Sequence, residues 1–224
     1  MVSAILGMLP LGLGIALNPI AIGASMLILS TARPRVNGLL FAIGWILGLL
    51  LLVVLSSRLV LLQRAEAREA GWDLPSVIWV AIGALLLLAA VRATRGRPLP
   101  GEAPVTPRWL RAIDTAGPVH IFGIGLFLAM VSLRNLALLA AAAGAISGAD
   151  LGLVELAVSL AAFLVISSIG ILVPLLVRVF GGEEADATLA GWSAWLNRHV
   201  ATITAGVLGV IGVYLLSRGL AGVL

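Results

Sequence analysis

The sequence predicts an all-α integral membrane protein, with six transmembrane helices in two inverted three-helix repeats. Three observations carry the prediction. Hydrophobic residues make up 61% of the 224 positions and charged residues 11%, with mean hydropathy +1.17, a balance foreign to a soluble domain of this size. Six charge-poor stretches, near residues 3–30, 38–58, 74–92, 119–147, 151–179 and 199–219, are long enough to cross a hydrocarbon core, which takes about 20 helical residues. With an odd number of spans in each half, the halves enter the membrane from opposite sides, which is the topology of an inverted repeat. Residues 1–92 form the first repeat, 93–118 a cytoplasmic linker rich in Pro and Arg, and 119–224 the second repeat.

The first stretch carries no charge over residues 2–32 but is interrupted near its middle by Asn18-Pro19. Pro19 removes a helix hydrogen bond, and Asn18 offers polar groups to the freed carbonyls. The first and fourth stretches span about 42–44 Å at 1.5 Å per residue, more than a straight crossing needs, and two half-helices with a break would use the excess. The N-terminus lacks a basic leader and a small-residue cleavage site, so it reads as a retained helix. The second stretch holds Gly44 and Gly48 at Gly-x-x-x-Gly spacing, with Gly38 before them. Such spacing lets helix backbones approach closely in lipid. Ile82-Gly83 in the third stretch has a loose counterpart in Ile211-Gly212 of the sixth.

The linker holds Pro98, Pro100, Pro104 and Pro107 and then Arg108-Trp109-Leu110-Arg111-Ala112-Ile113. This reads as a tether followed by a short interfacial helix. In the fourth stretch, 35 residues separate Asp114 from Asp150, and the only formal charge among them is Arg134, with Asn135 beside it. A centrally placed Arg costs about 2.5–3.5 kcal/mol to insert and is seldom kept without a role. Gly12-Leu13-Gly14 precedes the first interruption, and Gly123-Ile124-Gly125 precedes Arg134-Asn135. The fifth stretch contains Ser167, Ser168 and Pro174, the last expected to bend it around a shared cavity. Residues 189–199, with Trp192, Trp195 and Arg198, read as an anchor at headgroup level before the sixth. Gly206, Gly209 and Gly212 form a small-residue stripe in that last span.

Orientation follows from the arginines. Nine (Arg33, Arg35, Arg92, Arg95, Arg97, Arg108, Arg111, Arg178 and Arg198) flank connections one, three and five, against four on the other side (Arg58, Arg64, Arg68 and Arg218). The bias places those connections in the cytoplasm and both termini outside.

The chemistry narrows by what is absent. No acidic residue lies in the middle of a span, so no metal site is expected, and His120 and His199 fall at span ends. There is no cysteine, no nucleotide-binding Gly-x-x-x-x-Gly-Lys motif, no nucleic-acid module and no hydrolytic Ser-His-Asp set. The chain is therefore expected to be neither an enzyme nor a cofactor protein. Arg134 reads as the receptor of an anionic group, since guanidinium binds phosphate, sulfate or carboxylate through paired hydrogen bonds. Asn135, Asn18 and the half-helix amides near Pro19 complete the candidate substrate site, with Ser132, Ser167 and Ser168 as hydroxyl donors. The competing reading is a structural Arg bonded to carbonyls freed at a helix break.

The stretch Ala16-Leu17-Asn18-Pro19-Ile20-Ala21-Ile22, then Arg33-Pro34-Arg35, then Gly38-Leu39-Leu40-Phe41-Ala42-Ile43-Gly44-Trp45-Ile46-Leu47-Gly48 resembles the peptidoglycolipid- and sulfolipid-addressing proteins of the lysine-exporter superfamily. The resemblance implies six helices in two inverted halves and a role in moving envelope lipids or glycolipids across the inner membrane. It also implies, in the fourth helix, an Asn-Pro-Lys-like motif. Here Ser132-Leu133-Arg134-Asn135-Leu136 stands in that place, with Arg134 at the Lys and no Pro.

The expected substrate is an anionic lipid or lipid-linked envelope precursor. Alternatives are export of a small solute such as an amino acid, or a non-transporting scaffold for envelope-lipid synthesis or export proteins. A homodimer is left open. A lateral apolar opening between helices would favour lipid, a closed polar vestibule a solute, and no mid-depth cavity the scaffold.

Overall fold

The computed structural model describes residues 2–70, 74–95, 116–147 and 152–223. These form α1 (Val2–Ala16), α2 (Pro19–Ile28), α3 (Pro34–Ala70), α4 (Leu74–Arg95), α5 (Pro118–Met130), α6 (Leu133–Ser147), α7 (Leu153–Phe180), a 3-10 turn (Gly182–Glu184) and α8 (Ala185–Val223). No strand occurs among the described residues.

Among the described residues, three helical stretches are long and apolar enough to cross a membrane: Pro34–Arg58, Leu153–Phe180 and Gly182–Ala221. Two further spans arise if each bent pair counts as one, α1 with α2 at 52° and α5 with α6 at 66°. In α4 the apolar stretch is shorter, Trp79–Ala93.

Two boundaries differ from the sequence expectation. The chain stays helical through residues 59–70, so Arg58, Arg64 and Arg68 belong to α3 and not to a long connection. Helix formers such as Leu, Gln, Glu, Ala and Arg dominate that segment, and nothing in it breaks a helix. Likewise the tryptophan-bearing segment 189–199 is continuous with the last span in a single 39-residue α8. At about 1.5 Å per residue α8 is roughly 58 Å long, well beyond the hydrocarbon thickness. Most of the 93–118 linker, including the proposed interfacial helix at 108–113, lies outside the described residues.

Glycines set the helix contacts. A Cβ on Gly44 would meet the Phe122 carbonyl oxygen at 2.2 Å, and one on Gly125 the Phe41 oxygen at 2.3 Å. Gly48 faces Leu126 and Ala129 in the same way. Hence α3 and α5 pack backbone to backbone, running in the same direction. A Cβ on Gly170 would meet the Ala16 oxygen at 2.1 Å, while Gly12 faces Phe163, Ile166 and Ser167, so α1 and α7 also run parallel. Gly83 and Gly212 face each other across α4 and α8, and Gly219 lies against Ser76 and Val80. Here residue numbers rise on one helix as they fall on the other, so this pair is antiparallel.

In lipid such contacts are held by dispersion and not by the hydrophobic effect, and close backbone approach is what raises the number of atoms in contact. Trp45, Phe41, Phe163 and Met8 are the largest side chains fully enclosed between these helices. The glycine stripe of the last span divides: Gly212 is a contact residue, whereas a Cβ on Gly206 or Gly209 would meet nothing within 4 Å.

Candidate functional site: two helix breaks and an apolar groove

At the first break, Asn18 is buried, and its side-chain oxygen accepts the Ile20 amide at 3.2 Å and the Ala21 amide at 3.4 Å. It is the N-cap of α2, with Pro19 as the first helical residue. This is an arrangement both residue types favour: Asn replaces the missing intrahelical acceptor, and Pro lacks the amide that would go unpaired. The Asn18 amide itself turns back to the Ile15 oxygen at 3.2 Å, tightening the end of α1.

The second break is built by different residues with the same logic. Ser132 stands at the N-cap of α6, its hydroxyl accepting the Asn135 amide at 3.3 Å. The Asn135 side chain donates to the Ala129 oxygen at 3.0 Å, a carbonyl freed where α5 ends. Asn135 is fully enclosed, and its Oδ1 has no partner among the described residues. The chain bends by 66° here without a proline.

Arg134 sits at the second position of α6, half-buried. Among the described residues no hydrogen bond or ion pair reaches its guanidinium. The freed carbonyl at the break is satisfied by Asn135 instead. One turn on, Leu138 touches Gly14 of α1, and Gly14 also faces Ile211 of α8. Residues four apart share a helix face, so Arg134 lies on the side of α6 turned toward the first broken span.

The serines of α7 behave otherwise. Ser167 and Ser168 lie on its buried face with no hydrogen-bond partner for either hydroxyl among the described residues, and Ser167 packs against Gly12. The structure thus joins Ser132, Arg134 and Asn135 at one break and Asn18 with Pro19 at the other.

Sequence reasoning missed a large apolar cavity. It is an open groove of about 950 Å³ between the first broken span, α7 and α8, lined almost wholly by apolar side chains, with Leu13, Leu17, Ile22, Val173, Trp192 and Val210 among them. Pro174 lines it within an unbroken α7, and Gly206 forms part of the opposite wall. From Leu196 to Ile211 it follows α8 for about 22 Å at the helical rise. The indole of Trp195 stacks on His199 with centroids 4.7 Å apart. The tryptophans read as headgroup anchors are therefore groove walls as well. None of the seven predicted substrate residues lines the groove, although Leu17, next to Asn18, does.

No curated protein and no solved structure matches the chain. The profile of one family, described as Sap, sulfolipid-1-addressing protein, matches residues 8–221. This match covers both breaks, the groove and nearly the whole length, and the chain belongs to the sulfolipid-1-addressing protein family.

Proposed function

We propose that the protein moves an anionic lipid or lipid-linked glycan across the inner membrane, with the acyl chains in the apolar groove and the headgroup passing Arg134 at mid-depth. The observation that carries this reading is the groove itself. It opens between helices, is lined by apolar side chains, and runs beside a broken span. A small polar solute gains nothing from such walls, whereas an acyl chain exchanges lipid contacts for protein contacts at little cost. A pure scaffold has no need of the groove or of an unpaired arginine.

The proposal includes six spans in two inverted repeats, with both termini outside. The helix contacts support the repeat arrangement, and the arginine bias the orientation. Exchanging the halves turns the first-with-fifth span contact into the fourth-with-second contact and maps the third-with-sixth contact onto itself. Those are the three largest helix pairings, α1–α7, α3–α5 and α4–α8. The loose sequence match Ile82-Gly83 with Ile211-Gly212 falls where α4 and α8 cross. Alternating access then arises from one half rocking against the other around the two breaks.

The test is reconstitution into vesicles holding a fluorescent phosphatidylglycerol, with dithionite reading the outer leaflet. Protein-containing vesicles are expected to exchange the label faster than empty ones. Equal rates, with no lipid retained by the purified protein in native mass spectrometry, would exclude lipid transport.

A further inference from the structure

The end of the bundle that carries Arg33, Arg35 and Arg178 holds a second cleft, of about 580 Å³, also lined by Glu183 and Asp186. We propose that this cleft binds the hydroxyl-bearing anionic headgroup of a membrane lipid while its acyl chain lies in the apolar groove. The inference rests on the lipid reading above and adds a headgroup site distinct from Arg134.

The cleft is pre-formed. Thr31 donates to the Ile28 oxygen at 2.7 Å and accepts from the Asn37 side chain at 2.9 Å, while the Asn37 amide bonds the Arg33 oxygen at 2.9 Å. The turn bearing Arg33-Pro34-Arg35 is thereby stapled from both sides. Gly38 presses on Leu29 and Leu175, which docks this turn on α7 close to Arg178. Across the cleft, Gly181 closes α7 through the Val177 oxygen at 2.7 Å, and Gly182, at φ +56°, turns the chain and presents Glu183. Arg178 is held by Asp186.

Charge complementarity selects the occupant. With Arg178 paired, Arg33 and Arg35 are exposed and have no ion pair among the described residues. Two forked guanidinium groups suit a phosphate or sulfate ester. Glu183 faces the same space and repels a bare anion, but it accepts hydrogen bonds from hydroxyls beside one. A polyol ester satisfies both sides. The groove begins nearby: Pro174 lines it one turn before Arg178, and Trp192 lines it six residues after Asp186. An anionic head in the cleft therefore leaves its chain at the tryptophan-lined end of the groove.

The test uses the full chain in phosphatidylcholine nanodiscs doped with phosphatidylinositol, with retained lipid counted by native mass spectrometry. The parent is expected to retain phosphatidylinositol over phosphatidic acid, doped in parallel, whose headgroup carries no alcohol. R33Q/R35Q is expected to lose about tenfold in retention, the scale of two partly exposed charge-assisted contacts. R33K/R35K, which keeps the charges that orient the chain, retains part of it, and E183Q narrows the preference over phosphatidic acid. Unchanged retention by R33Q/R35Q overturns the cleft, and so does chain-free inositol phosphate competing as well as the lipid. Vesicle exchange by the parent separates the two readings. Exchange with unchanged R33Q/R35Q retention sinks only the cleft, and lost retention without parental exchange sinks only transport.

Discussion

The two broken spans bend by similar angles, 52° and 66°, yet apart from an asparagine they share no residue type at the bend. The first has Asn18 and Pro19 and no charge; the second has Ser132, Arg134 and Asn135 and no proline. In both, a side-chain oxygen caps the helix that starts at mid-span. The comparison teaches that the cap makes the break and proline only suits it. Surroundings differ as well. The second span is clamped to α3 through Gly44, Gly48 and Gly125, whereas the first touches α7 on one side and faces the open groove on the other. Both spans are held through close glycine contacts, and the neutral one also borders the groove.

The largest expected effect comes from removing the charge. Arg134→Ala should reduce anionic-lipid exchange by the equivalent of about 2–5 kcal/mol, the cost of truncating one partner of a buried charged contact. Thermal stability should hold, because Asn135, and not Arg134, satisfies the Ala129 carbonyl. Arg134→Lys should keep part of the activity, since charge persists while paired geometry is lost. Vesicle exchange and melting of both variants decide this; a destabilised but exchange-competent Arg134→Ala would mark the arginine as structural.

Two glycine substitutions sharpen the contrast between clamp and groove. Gly44→Leu must displace the Phe122 carbonyl, since even a Cβ would sit 2.2 Å from it. A loss of about 1–3 kcal/mol is expected, as for other overpacked sites. A Cβ on Gly206 meets nothing within 4 Å, so Gly206→Leu should extend into the open groove, leaving the melting temperature unchanged while slowing exchange. Equal destabilisation by the two would erase the distinction.

The sequence reveals most where one residue type departs from its background. Asn18-Pro19 and Arg134 stand out because polar groups are costly in lipid, and both mark bends. Gly44 and Gly48 are recognisable by spacing and are contact residues. The groove is invisible for the opposite reason. Leu13, Ile22 and Val173 look like any other apolar residue, and the wall exists only when α1, α2, α7 and α8 come together. For the same reason the sequence did not place the α7 serines. A helix apolar on all sides has no period to say which face meets a neighbour, and Ser167 turned out to pack against Gly12.

Smaller effects separate the two asparagines at the breaks. Asn18→Ala removes the acceptor of two amides at the start of α2 and should cost about 1 kcal/mol. Asn135→Ala loses the bond to Ala129, and interhelical or loop bonds of this kind in membranes average about 0.6 kcal/mol. Denaturant melting in mild detergent measures both. A larger loss from Asn135→Ala would mean that the enclosed side chain is also filling space that alanine leaves empty.

The smallest effect is expected from Pro19→Ala. The new amide at position 19 would need the Ile15 oxygen to continue a straight helix, and the Asn18 amide already occupies it at 3.2 Å. Straightening also requires Asn18 to release the Ile20 and Ala21 amides. The variant therefore gains one unpaired amide at a position where helices leave it unpaired anyway. Spin labels in this cysteine-free chain at Gly7 and Leu27, on opposite sides of the break, should report a distance close to that of the parent. Asn18→Leu combined with Pro19→Ala removes the cap that holds the Ile20 and Ala21 amides, so the amide at position 18 can shift from Ile15 to the oxygen four residues back, as in a continuous helix, and the distance should lengthen only in the double variant. Lengthening in Pro19→Ala alone would make proline the cause of the first bend and confine the capping account to the second.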